Sequence, residues 1–311
     1  MTALLLLPLL LPLALPALAR RALDRLAPVA ALWAVTGCAV VLAGSSLAAL
    51  GSFVLIGLLK VPLFAALGEL IHPLRTASDL VVLPAAATSV GALAVCGWTL
   101  VRSVLHQTRA FRAARTEAGS GPSAGDLCVV DSPRPDAYAL PGRPHRIVVT
   151  TAMLRSLDGP EREALFAHER AHNDGHHHYF LAAAELAAHC HPALRPVRGT
   201  IRLAAERAAD EAAAASVGDR RLTARAIARA ALAGQAARSA HPGRPDFAPA
   251  ATTGPVPQRV QALLAAPLAP RTGRAIAALL IACTALSCAA SVAGLADVHH
   301  RVEVAQGDER P

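Results

Sequence analysis

Four apolar runs dominate this chain and decide what it can fold into. They cover residues 3–19, 29–59, 79–101 and 275–296. A run of about 20 apolar residues matches a bilayer's hydrocarbon thickness as a helix. The mean hydropathy of +0.41 and the 54% share of hydrophobic residues also point away from a soluble protein. We expect a mainly α membrane protein with about four transmembrane helices and a polar domain between the third and the fourth.

The first run carries Pro8, Pro12 and Pro16, which should bend it. A cleaved signal peptide is the competing reading. It lacks a positive leading region, and Arg20 and Arg21 follow the run instead. The second run is longer than a bilayer requires and reads as one tilted or projecting helix, with residues 61–77 as a connection. The expected layout is 1–102 for three spans, 103–270 for a catalytic domain, 271–297 for a fourth span and 298–311 for a polar tail. Net charge is +8, carried by arginine, and Lys60 is the only lysine. Arginines at 20, 21 and 25 and from 102 to 115 fall on one side if two spans separate them. The excess of positive charge puts that side, and the domain, in the cytoplasm, with both termini outside. No basic-aromatic platform or finger spacing suggests nucleic acid as a partner. The six cysteines form no C-x-x-C, so no disulfide framework or cysteine zinc site is indicated.

Within the polar region, His168-Glu169-Arg170-Ala171-His172 has the form H-E-x-x-H. On a helix the two histidines share a face and can grip one metal ion, with Glu169 placed as general base. Asp158 or Gly159 serves as cap and Pro160 stands in the first turn. Leu165, His168, Glu169 and His172 make an i, i+3, i+4, i+7 stripe that should face inward. Two third ligands are open. The run His168 to His178 also fits H-E-x-x-H-x-x-G-x-x-H, with His178 as ligand, but that pattern needs a methionine downstream and the only methionines are Met1 and Met153. Glu206 is the preferred answer. It lies on a helical stretch with Asp210 four residues on, so both carboxylates share a face. Glu206 completes a His-His-Glu zinc site, one ion per chain, and Asp210 can fix the tautomer of a ligand histidine.

H-E-x-x-H followed by E-x-x-x-D among transmembrane segments resembles the membrane gluzincins, such as the HtpX-type proteases and the BlaR/MecR-type peptidases. The segments Asp136–Gly142, Arg146–Thr151 and Pro257–Leu264 are similar to segments of that class, and the short interval between the two motifs is closest to the BlaR/MecR-type group. The resemblance implies a zincin-like (minigluzincin) α+β catalytic domain and a protein or peptide substrate. It also implies a strand at 147–151 that aligns the substrate. No penicillin-binding sensor domain is expected, since only a short tail follows the last apolar run.

Seven of the thirteen histidines fall between 168 and 191. His176, His177, His178, His189 and His191 are expected at the surface or at helix ends. Arg202, His176, His177 and His178 are candidates for stabilising an oxyanion. A membrane signal transducer or scaffold with a structural or idle zinc is the alternative to a peptidase. A transporter would need ionisable residues within the spans, which are nearly free of them.

Overall fold

The computed structural model describes residues 2–61, 66, 79–120, 123–236, 255–265 and 273–306. Most of the connection at 61–77 lies outside the described residues, as does nearly all of 240–257, a stretch whose Pro, Ala and Thr content predicts a loop. Helices dominate. The first run forms α1 (Thr2–Leu10), a 3-10 turn at Leu11–Leu13, and α2 (Leu15–Arg25), bent by 48°. Pro12 causes the break, because it has no N–H to give to the carbonyl four residues back. That carbonyl, on Pro8, accepts instead from Ser46 Oγ at 2.8 Å. His191 Nε2 lies 3.1 Å from the neighbouring Leu9 carbonyl. His191 is therefore tied to the bend in the first span rather than left at the surface.

Among the described residues three helices are long and apolar enough to cross a bilayer, and the bent pair makes up to four. They are α3 (Pro28–Leu58), α4 (Asp79–Ser120) and, at the end, α11 (Arg274–Gln306). Gly57 on α3 meets Ala86 on α4 so closely that a Cβ would not fit between them. Two of these helices outrun their apolar segments. The 42 residues of α4 span roughly 60 Å, twice a hydrocarbon core. Beyond Arg102 the helix continues because Ala114 and Ala118 pack on Cys128, Tyr138, Leu140 and Val148 of the sheet. Similarly α11 does not stop near residue 297. Val298, Val302 and Ala305 recur on one face and pack with Leu5, Phe53 and Ile56.

The sheet has four strands, β1 (Ser123–Ala124), β2 (Leu127–Val130), β3 (Ala137–Leu140) and β4 (Arg146–Thr150), in the order β1-β2-β4-β3. β2 and β4 run parallel, and β1 and β3 lie antiparallel to their neighbours. Thr150 ends β4 and caps the short α5 (Thr151–Ser156) by accepting from the Met153 N–H. Then come α6 (Gly159–Asp174), α7 (His177–Cys190), α8 (Val197–Val217), α9 (Arg220–Ala236) and α10 (Val256–Leu264). The apolar periodicity of the sequence predicts helices at 160–173, 177–190, 198–217 and 221–238, and these correspond to α6 through α9, with 237–238 outside the described residues.

The largest apolar cluster joins both parts of the molecule. Leu15, Ala22, Leu32, Val35 and Leu42 from the first helices meet Leu181 and Ala184 of α7, Ile201 and Ala205 of α8, and Leu280 of α11. The upper half of α3 is thus core for the polar domain. This explains why its apolar run exceeds what a bilayer needs.

Candidate metal centre

The site is built on two helices held side by side. α6 begins with a capping box in which Asp158 accepts from the Glu161 N–H and Glu161 accepts from the Asp158 N–H. Glu161 is fully buried, with Arg225 Nε at 3.0 Å and Arg229 Nη1 at 2.9 Å from α9. Its role exceeds that of an acidic residue near the positive end of a helix. From that anchor the buried face runs through Ala164, Leu165, His168, Glu169, His172 and Asn173, a helical stripe that includes the expected one. α8 presents Glu206 and Asp210, one turn apart, to the same interior. Its many alanines let it sit close against α6.

His168, His172 and Glu206 converge. Their nitrogens, both Nε2, are 3.1 Å apart. Glu206 Oε2 is 3.5 Å from the first and 3.8 Å from the second. Ligands at about 2.0–2.1 Å from a tetrahedral metal stand about 3.3–3.4 Å from one another, so the three atoms fit one ion. Among the described residues this is the one group of three or more histidine, cysteine or acidic side chains so arranged. His178 is not in it, which removes the literal H-E-x-x-H-x-x-G-x-x-H reading. The donor set of two imidazoles and a carboxylate suits a divalent transition metal and leaves a coordination position over.

Each of the two histidines is held from behind. Asp210 Oδ1 lies 3.0 Å from His168 Nδ1, as the spacing of the two carboxylates suggested. His177 Nδ1 lies 2.7 Å from His172 Nδ1. With His172 Nε2 facing the ligand focus, its Nδ1–H donates to a neutral His177. His177 does stand at a helix end, as expected, but it is buried rather than at the surface. The chain turns sharply at Gly175 and His176, and His176 adopts a left-handed conformation at φ 51°. A Cβ on Gly175 would stand 2.6 Å from the His177 ring, so a larger residue there would push the ring from this position. His176, by contrast, is exposed, and His178 is half-buried.

Arg259 of α10 was absent from the sequence reading of the site. Its side chain is fully buried. Nε and Nη2 donate to the two Asp210 oxygens at 2.8 and 2.6 Å, and Nη1 is 3.0 Å from Glu206 Oε2. The available signal was only the segment Pro257–Leu264, which carried a likeness but no chemistry. Burial disfavours the charged forms of Glu206 and Asp210, yet Arg259 overrides it and holds both below the usual carboxylate range, Glu206 well below. Burial also opposes charging of His168, but Asp210 and Glu206 raise it to about 9. His172 is lowered by burial, and His177 is pushed down to about 3, again mainly by burial.

Glu169 is as buried as the ligands. The strand expected to align a substrate is β4, but β4 is bonded to β2 on one side and β3 on the other. It has no open edge. The open edge on that side of the sheet belongs to β3, which packs against α6.

Apolar spanning helices, a small mixed sheet beneath an H-E-x-x-H helix, and a buried His-His-Glu group that could hold a metal together support a membrane metallopeptidase. Residues 107–194 match the model of peptidase family M48. The match runs from within α4 to just beyond α7, so it contains the H-E-x-x-H helix but neither Glu206 nor Asp210. No curated protein and no solved structure matches the chain.

Proposed function

We propose that this chain is an integral-membrane zinc endopeptidase that hydrolyses peptide bonds in protein substrates. The convergence of three buried ligand atoms at tetrahedral spacing carries the reading. His168, His172 and Glu206 hold one zinc ion, which when bound polarises the scissile carbonyl and acidifies water. Glu169 removes the proton from the attacking water as its oxygen bonds to the carbonyl carbon. It then delivers that proton to the amine nitrogen as the C–N bond breaks. Asp210 and His177 keep the ligand rings in their binding tautomers. An extended peptide would add to the edge of β3 once the covering elements part.

The test is Glu169→Gln in the purified, detergent-solubilised chain. It should retain one zinc per chain and lose cleavage of an unfolded protein by at least about 100-fold. Cleavage at the wild-type rate would remove Glu169 as the base.

The complete burial of the site favours a second reading, a closed structural zinc in a membrane scaffold or signal transducer. Stoichiometric zinc in a wild-type protein that cleaves neither unfolded protein nor a repressor would support it. The likeness to BlaR/MecR-type peptidases supports regulated cleavage of a repressor, and the likeness to HtpX-type proteases supports removal of damaged membrane proteins. Proteins that accumulate only in Glu169→Gln cells would decide between them.

The arginines at 20, 21, 25 and 102–115 support a cytoplasmic catalytic domain in the cell membrane. Exposed Arg134 gives the test. As Arg134→Cys, it should react with an impermeant thiol reagent in inverted vesicles and not in intact cells. Labelling in intact cells would reverse the orientation.

A further inference from the structure

The least expected side chain in the core is Arg259, the largest among those fully buried. An arginine out of water is costly unless each face of its guanidinium meets a partner. Here the partners are metal-site groups. The fork grips Asp210 with two nitrogens and reaches Glu206 with the third. Nη2 also comes within 3.5 Å of His168 Nε2, and the charge of Glu169 acts on Arg259 as well. The neighbourhood thus holds three buried carboxylates, Glu169, Glu206 and Asp210, against one guanidinium. Once His168 gives up its proton, as holding a metal requires, it is two positive charges short of balance. A divalent cation closes that gap.

We propose that Arg259 is the positioning residue of the metal centre, setting Glu206 and Asp210 in their ligand-ready orientations. This rests on the reading of the site as a metal centre. Arg259 holds Glu206 Oε2 where the two imidazole nitrogens can share an ion with it. Through Asp210 it also fixes the tautomer of His168. It is delivered by α10, a helix of nine residues seated on α8 and α9 through Leu263, Ala214 and Ile227. Arg220 of α9 secures α10 by donating to the Leu263 and Ala262 carbonyls at 2.9 and 3.2 Å. Completion of the site therefore depends on a segment about 50 residues beyond the last ligand, outside the H-E-x-x-H and E-x-x-x-D motifs.

The sign of the effect on metal affinity separates this role from two simpler ones. If Arg259 were only a nearby positive charge, removing it would tighten binding of a divalent cation. If it were only a clamp between helices, removal would lower stability and leave metal affinity alone. Positioning predicts weaker binding. The experiment compares full-length wild type, Arg259→Met and Arg259→Lys in detergent. Zinc affinity is measured by competition with a chromogenic chelator, and geometry by the visible absorption of the cobalt-loaded protein. We expect Arg259→Met to bind zinc about 10- to 100-fold more weakly, with altered cobalt bands. Arg259→Lys keeps the charge but not the fork, so it should fall between the two and also tests the idea if the methionine variant does not fold. Wild-type affinity and cobalt spectrum in either variant would overturn the proposal, as would tighter binding by Arg259→Met. Failure of the wild type to bind zinc stoichiometrically would instead overturn the metal-centre reading beneath it.

Discussion

His177 shows how much one side chain's direction matters. Its neighbours His176 and His178 differ from it only in position, yet His177 alone is buried, and it sets the orientation of His172. Truncating it leaves the outer nitrogen of His172 buried without its acceptor and lets the ring rotate. His177→Ala should therefore weaken zinc binding about 10-fold or more, whereas His176→Ala should leave it unchanged. Chelator competition on the two purified variants measures both. Equal affinities would show that His172 needs no support from His177. The convergence of His168, His172 and Glu206 was legible because H-E-x-x-H and E-x-x-x-D carry their geometry in helical spacing. His177 was not legible, because helix periodicity ends at Gly175 and restarts after a left-handed residue. Across that break, spacing no longer predicts direction. Arg259 was hidden for a related reason: an arginine on a short helix reads as solvated unless its buried partners are known.

The bend between α1 and α2 follows from one missing hydrogen. Pro12 cannot donate to the Pro8 carbonyl, and an unsatisfied carbonyl in an apolar layer is costly. Ser46 on α3 meets that need: its single hydroxyl hydrogen lies within reach of the Pro8 carbonyl and of its own Leu42 carbonyl, both at 2.8 Å, and serves one or is shared between them. The serine is thus a repair of the proline, and the two should be energetically coupled. Ser46→Ala alone should destabilise the protein by about 1 kcal/mol. In a Pro12→Ala background the helix supplies its own donor, and the same substitution should cost only a few tenths. Unfolding in mixed micelles gives the four values of the cycle, and an additive result would show that Ser46 does not serve the bend. The prolines announced a bend in the sequence. The partner did not announce itself, because nothing local ties residue 46 to residue 8. The same holds for the ends of α4 and α11. Both were placed where charge begins, but helices end where packing ends, and Ala114, Ala118, Val298 and Ala305 continue the packing.

The whole molecule does not divide where its hydropathy does. The apolar runs suggested a polar domain at 103–270 carried on separate spans, and the mainly helical class with about four spans was correctly read from them. What hydropathy cannot distinguish is an apolar face turned to lipid from one turned to another helix. On α3, Ala31, Leu32, Val35, Ala39 and Leu42 are buried against α7 and α8, while Trp33 and Val40 stay exposed. α2 joins the same core, and Arg207 Nη1 on α8 donates to its Leu23 carbonyl at 2.8 Å. Residues 103–270 cut from the chain would therefore expose Leu181, Ala184, Ile201 and Ala205 to water. Burying a Leu or Ile side chain contributes about 1.5–3 kcal/mol and an Ala methyl about 0.8 kcal/mol, so losing the cover of these four removes an amount comparable with the lower end of the 5–15 kcal/mol that holds an ordinary domain folded. The isolated segment should be insoluble or lack cooperative unfolding, and should not bind zinc. Co-expression with residues 1–102 should restore zinc binding only if α11 is also supplied, since Leu280 and Cys283 complete the same cluster. A soluble 103–270 fragment with wild-type zinc affinity would mean that the metal centre stands free of the membrane helices. The shared core makes the opposite outcome the expected one: α8, which carries Glu206 and Asp210, is wedged between the H-E-x-x-H helix on one side and the spans on the other.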